Sequence, residues 1–266
     1  QPYPFCLAHP VEHASPEQLG NCQDYVAEWK WDGIRGQLIR RCGETYLWSR
    51  GEELMEDRWP ELEEAAQLLP DGTVLDGEIL ATNADGILPF AALQRRIGRK
   101  QLSKKLLTEV PVVFHAFDLL EVAGEDVRHQ SYDQRRQHLE QLFADHPALR
   151  THHLQRTELL PAQQWSDWAE LRANSRAHHA EGLMLKRRAA PYDVGRVRGT
   201  WWKWKIEPYT IDAVLIYAQK GHGKRANLFT DYTFALWQGE ELVPFAKAYS
   251  GLDDAEIRQV DRFVRQ

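Results

Sequence analysis

Hydrophobic and polar residues trade places along this chain with two distinct periods. Across residues 26–39 they alternate loosely, and Asp32-Gly33 interrupts the alternation, which predicts strand, turn, strand. Residues 45–48 predict another short strand, and residues 73–81 a longer one carrying Asp76-Gly77-Glu78. Residues 110–120 are strongly apolar and β-branched, the pattern of a buried strand, and close on Phe117-Asp118 and two leucines. Helical spacing runs over residues 56–69, stopped by Pro70-Asp71-Gly72, and over residues 90–107, 131–143 and 161–179. Residues 182–186 and 201–206 predict two more strands. Past Pro208-Tyr209 the pattern turns to β, with strands over residues 213–218, 230–237 and 242–249. A Gly-rich basic turn at residues 220–225 joins the first two, and residues 253–264 predict a final helix. Strands and helices mix without a βαβ rhythm, so the expected class is α+β. Residues 1–208 are expected to form a domain of antiparallel sheets with flanking helices. Residues 209–266 are expected to form a small β-barrel domain, incomplete at its C-terminal end.

The 266 residues, 43% of them hydrophobic, allow one or two domains with a substantial core. No apolar run approaches the length of a membrane span. No secretory signal opens the chain, and no initiating Met, so a fragment of a longer protein is expected. Cys6, Cys22 and Cys42 are an odd number without Cys-x-x-Cys spacing, which argues against disulfide or zinc frameworks and for a reducing, intracellular compartment. The histidines show no metal-binding spacing. The formal net charge of -6 argues against nucleic acid, but it is unevenly spread. Residues 52–64 are acidic. Arg95, Arg96, Arg99, Lys100, Lys104 and Lys105 form a basic run, residues 186–205 a second, and Lys220, Lys224 and Arg225 a third. Local patches, more than total charge, decide phosphate binding.

The strongest chemical signal is Glu28-Trp29-Lys30-Trp31-Asp32-Gly33-Ile34-Arg35, which reads Lys-x-Asp-Gly-x-Arg. An ordinary lysine is protonated at neutral pH and a poor nucleophile. Two flanking tryptophans are expected to desolvate Lys30, which favours the neutral amine and fits covalent attack on a nucleotide phosphate. The four fixed positions would arise by chance in roughly 0.3% of chains this long, so the motif gains force only from partners in the right order.

Those partners follow. Ser49-Arg50-Gly51, Asp76-Gly77-Glu78, Phe117-Asp118-Leu119-Leu120, Glu181-Gly182-Leu183-Met184-Leu185-Lys186 and Trp202-Lys203-Trp204-Lys205 come in sequence, after an early Leu7-Ala8-His9-Pro10. The set resembles the covalent nucleotidyltransferases and, within them, ATP-dependent DNA ligases of cellular type, over nearly the whole chain. The resemblance implies an adenylation domain followed by an oligonucleotide-binding (OB) barrel. It also implies ATP, held as AMP on Lys30, with Mg2+ or Mn2+. The implied partner is nicked duplex DNA, met by a monomer away from membranes, in replication, repair or recombination.

Residue by residue, the resemblance makes Lys30 the nucleophile and Asp32 its orienting partner. It gives Glu28 the adenine amino group, with Trp29 beside it, and Arg35 and Arg50 the ribose and phosphate. Glu78 becomes a ribose or metal contact and Glu181 a metal contact. Phe117 would stack on the adenine, where the residue pattern alone favours core, and Met184 would cover the other face. Lys203 and Lys205, two apart on one strand face, would both reach the α-phosphate, with Lys186 doing similar work. Lys224 and Arg225 would meet DNA phosphates. The family's last basic motif and its preceding helical DNA-binding domain are not found, so slow adenylation and weak nick affinity are expected. A GTP-using mRNA capping enzyme, an RNA ligase and a non-catalytic nucleic-acid-binding module remain as alternatives.

Overall fold

The computed structural model describes residues 1–11, 16–55, 57–97, 99, 102–149, 153–207, 210–249 and 251–266. Its elements are β1 (His9–Pro10), β2 (Tyr25–Trp31), β3 (Ile34–Arg41), β4 (Glu44–Ser49), α1 (Pro60–Ala66), β5 (Thr73–Asn83), β6 (Gly86–Ile87), α2 (Phe90–Gln94) and α3 (Lys104–Glu109). They continue with β7 (Val112–Val122), β8 (Glu125–Asp126), α4 (Tyr132–Asp145), β9 (Leu154–Arg156), α5 (Trp165–Ala173), β10 (Ala180–Arg187) and β11 (Trp201–Lys205). After these come β12 (Val214–Lys220), β13 (Phe229–Gln238), β14 (Glu241–Ala248) and α6 (Asp254–Val264). The chain divides into two units, Gln1–Ile206 and Glu207–Gln266. The boundary expected at Pro208-Tyr209 lies outside the described residues.

The strand, turn, strand around Asp32-Gly33 is not a hairpin. β2 pairs with β10 in a sheet ordered β1-β11-β10-β2, whereas β3 pairs with β4 and β5 in a second sheet ordered β4-β3-β5-β7-β8. Asp32-Gly33 is therefore where the chain leaves one sheet for the other. A Cβ on Gly33 would lie 2.4 Å from the Ile79 carbonyl oxygen and 2.6 Å from Leu80 Cδ2, so only glycine passes this crossing.

The larger sheet packs Leu38, Leu75, Ile79 and Phe114 against Leu62 of α1 and Leu139 of α4. A second cluster gathers Tyr25, Leu183, Trp202 and Trp204 of the smaller sheet with Trp165 and Trp168 of α5. α4 begins with a capping box between Ser131 and Gln134. Arg135, fully buried, clamps Asp118 of β7 through Nε at 2.8 Å and an η nitrogen at 2.9 Å, which locks the first turn of α4 onto that strand.

The helix expected over residues 90–107 is two short ones. Ser103 caps α3 by accepting from the Leu106 N–H, and a helix starting there cannot continue one from residue 90. Within the basic run, Arg95, Arg99, Lys104 and Lys105 are exposed, and Arg96 is the exception. Arg96 is buried, bonds Glu61 and the Val110 carbonyl, and lies 4.8 Å over Trp59, while Arg95 pairs with Glu109. Lys100 lies outside the described residues. The first helix starts at Pro60, a residue suited to the first helical position, and residue 56 is not described. The pattern over residues 161–179 resolves into α5 and a 3-10 turn, Ser175–His178.

In the second unit β12, β13 and β14 form an antiparallel meander, and α6 is capped by Asp253. Among the described residues this sheet has three strands and is open, where a small barrel was expected.

A bulge in β10 shifts its register against β2 between Ala180 and Leu183. Gly182 sits there at φ +135°, and a Cβ would come within 2.2 Å of the Trp204 carbonyl oxygen. The extra residue reverses the side-chain alternation, bringing Glu181 to the same face as Met184. Gly182→Ala is expected to destabilise the chain by about 1–3 kcal/mol, measured by urea unfolding.

Candidate active site

Both sheets contribute one wall of a cavity of about 530 Å3, a size suited to a small ligand. β2, β10 and β11 of the smaller sheet bring Glu28 and Lys30, Met184 and Lys186, and Lys203 and Lys205. β3, β5 and β7 of the larger sheet bring Arg35, Glu78 and Phe117. Asp32 and Arg50 also line it. Register fixes the neighbours: Met184 stands opposite both Glu28 and Lys203, and Arg35 stands opposite Glu78.

One end is built around Glu28. This acid is buried, accepts from the Tyr132 hydroxyl at 2.7 Å, and pairs with Lys186 Nζ at 2.8 Å. Lys186, expected to work alongside Lys203 and Lys205, is instead paired with Glu28. Two strand positions beyond Met184, it is buried beneath the cavity, 4.3 Å from the Phe117 ring centroid and 4.5 Å from that of Trp201. Phe117 is half-buried: it borders the cavity and packs against the core cluster around Trp201.

The other end is cationic. Lys30 Nζ lies 2.5 Å from Glu181 Oε2, and Lys205 Nζ lies 3.1 Å from the same oxygen. Burial opposes ionisation of Glu181, but the two ammonium groups outweigh it and hold its carboxyl below the usual range. Lys203 makes no ion pair among the described residues. Burial and the nearby Arg196, Lys205 and Lys30 charges lower its pKa. Burial and Glu181 raise that of Asp32, against Lys30 and Lys205.

Trp29 and Trp31 also line this cavity, but their rings pack elsewhere. In a strand successive side chains alternate, so Trp29 and Trp31 point to the other face. Trp29 stacks on His178 at 4.4 Å, and Trp31 meets His115 edge-on at 6.0 Å, beside a second cavity of about 740 Å3. Arg35 is also less available than expected. It grips both oxygens of Asp76, at 3.1 and 2.7 Å, and donates to the Cys6 carbonyl and the Tyr192 hydroxyl. Its guanidinium lies 5.4 Å from the Phe117 ring centroid, so it braces the site wall.

Glu78 is the opposite case. No side chain hydrogen-bonds it among the described residues. Burial pushes its pKa up to about 7, with Arg35 and Lys30 opposing. Glu78 and Glu181 offer hard carboxylate oxygens to a divalent cation. No cluster of three or more His, Cys, Asp or Glu side chains suited to a metal exists among the described residues. A Mg2+-type cation is one that one or two protein carboxylates can hold, with other ligands completing its shell.

Residues missed from sequence include Arg196 at the cavity rim and the braces Asp76, Tyr132 and Tyr192. Arg196 fell within a recognised basic stretch, but Tyr132, 104 positions from Glu28, carried no local signal. Lys224 and Arg225 lie in the second unit, where Arg225 pairs with Asp254.

The family described as ATP dependent DNA ligase domain matches residues 5–205. The chain belongs to this family. A probable DNA ligase of Koribacter versatilis (strain Ellin345) is 35% identical, across 99% of this chain and 49% of the relative. DNA ligase 1 of Korarchaeum cryptofilum (strain OPF8) is 30% identical, across 94% of this chain and 45% of the relative. The chain spans about half the length of these ligases. The solved mycobacterial DNA ligase D complexed with ATP and MES aligns with a TM-score of 0.62 and 26% identity, covering 98% of this chain and 77% of that one. The ligase domain from M. tuberculosis LigD gives a TM-score of 0.58 at 25% identity, over 97% and 76%. The fold is that of the family's nucleotidyltransferase domain. No described helix is long and apolar enough to cross a membrane.

Beside Trp31 of β2, burial lowers the His115 pKa from 6.5 to about 4, with Gln155 opposing. Between those values the unfolded chain binds a proton that the folded chain does not, so stability falls as pH falls from 6.5 towards 4. Chemical denaturation at pH 7 and pH 4.5 should show His115→Phe relieving roughly 2–3 kcal/mol of that loss.

Proposed function

We propose that the chain is the catalytic portion of an ATP-dependent DNA ligase that seals nicks in duplex DNA, with Lys30 as the nucleophile. The observation that carries this reading is the polarity of the cavity. A buried carboxylate, Glu28, with Phe117 and Met184 suits a purine at one end, while Lys30, Lys203, Lys205 and Arg196 suit phosphates at the other.

Lys30 Nζ attacks the α-phosphorus of ATP. A P–N bond forms, the α–β bridge breaks, and pyrophosphate leaves. The amine must first leave Glu181 and lose a proton. A 5′-phosphate oxygen at a nick then takes the AMP from Lys30. The 3′-hydroxyl attacks that activated phosphate, sealing the strand and releasing AMP. Lys203, without an ion pair among the described residues and close to Lys30, would neutralise charge on the α-phosphate, with Lys205 beside it. Glu78 and Glu181 would hold Mg2+ or Mn2+, which supplies further neutralisation when bound. Asp32 orients Lys30, and Arg50 and Arg196 at the rim meet phosphate oxygens. Residues 1–208 act as the adenylation domain and residues 209–266 as the OB domain. Lys224 and Arg225 make sequence-independent contacts to DNA phosphates. Free cysteines support an intracellular, reducing setting, and the chain acts as a monomer.

The test is intact mass after prolonged incubation with Mg2+ plus ATP or GTP. One added AMP is expected, absent in Lys30→Ala and formed about 10²–10³-fold more slowly in Lys203→Met. An adduct surviving in Lys30→Ala, or GMP in place of AMP, would overturn the reading.

A further inference from the structure

Glu28 reaches the cavity with both oxygens already engaged from below. Tyr132 donates to Oε1 at 2.7 Å and Lys186 to Oε2 at 2.8 Å. A carboxylate offers about four lone-pair sites, so each oxygen keeps one for a ligand. The Lys186 ammonium balances the charge, but the direction of the remaining lone pairs depends on where the two donors stand.

Tyr132 is the more rigid of the two. It opens α4, and its N–H donates to the Ala190 carbonyl at 2.8 Å. Three residues on, Arg135 holds Asp118 and also donates to the Gln130 and Ala190 carbonyls. The Tyr132 ring is fully buried, and a phenol has two side-chain torsions where a lysine has four. Burial and the Glu28 charge raise its pKa well above that of an ordinary tyrosine, so the hydroxyl remains a donor. Arg136, the other cation on this helix near Glu28, is bonded to Glu140 and the Thr157 carbonyl.

We propose that Tyr132 is a positioning residue for base selection, fixing Glu28 as an acceptor aimed at the exocyclic amino group of a 6-aminopurine nucleotide. The inference rests on Glu28 facing the base, as in the function proposed above, and adds the group that makes it selective. A carboxylate paired with Lys186 and turned by Tyr132 has only acceptors to offer. Adenine presents an amino donor at this edge, and guanine presents a carbonyl acceptor. Sites built to bond a substrate N–H discriminate strongly against analogues that lack it.

Tyr132→Phe removes only the hydroxyl and keeps the ring. The readout is the rate of adduct formation by intact mass, over a range of ATP or of purine riboside triphosphate, which has hydrogen in place of the 6-amino group. Thermal melting of both proteins runs alongside. The half-saturating ATP concentration is expected to rise about tenfold in Tyr132→Phe with the maximal rate nearly unchanged. Half-saturation by the purine analogue should barely move, since there is no amino group to misplace. An equal change with both nucleotides, or none with ATP, would make Tyr132 a packing residue and overturn the inference alone. If the unaltered chain forms no adduct with ATP, the proposed function falls first and this inference with it.

Discussion

The site depends on a backbone contact that admits no side chain. At Gly33 the chain passes from the sheet carrying Lys30 to the sheet carrying Glu78, so close to β5 that a Cβ would overlap the Ile79 carbonyl. This closeness makes the two sheets two walls of one cavity. Lys30 sits three residues before the crossing and Arg35 two after it. A wider turn would separate the nucleophile from Glu78, and a true hairpin would put β2 and β3 in one sheet with no cleft between them.

Around this seam the charges fall into two groups. Glu28 with Lys186, Asp76 with Arg35 and Asp118 with Arg135 are paired, largely buried and shared between distant elements. Buried pairs add little net stability, but losing one partner leaves an uncompensated charge costing several kcal/mol, so they hold geometry firmly. Lys203 and Glu78 stand free, and Glu181 is divided between two lysines. The first group builds the walls, and the second is the one the proposed function gives to the phosphates of a nucleotide and a cation. The free charges lie at one end and the aromatic and thioether surfaces at the other, which gives a bound nucleotide one sensible direction.

Much of this was legible in the chain. Lys203 and Lys205 could be paired because strand residues two apart share a face, and Asp-Gly marked a necessary turn. The same alternation should have removed Trp29 and Trp31 from Lys30, since neighbours along a strand point apart. Glu181 was placed from its motif, yet the bulge at Gly182 that brings it to the cavity has no signature beyond the glycine itself. Lys186 and Arg96 were read as available cations because partners such as Glu28 and Glu61 are remote in sequence. Tyr132 was invisible for the same reason. Local spacing reveals groups on one element, whereas the braces that orient them come from contacts across the fold.

Of the three lysines crowded at the cationic end of the cavity, Lys30 is the one proposed to form the bond. The most direct measurement is to label the protein with ATP radioactive at the α-phosphate, digest it, and locate the label by peptide mass spectrometry. The account predicts AMP on the Lys30 side chain through an acid-labile, alkali-stable P–N bond, with Lys203 and Lys205 unmodified. AMP on either of those lysines, or on a hydroxyl or carboxyl group, would contradict it.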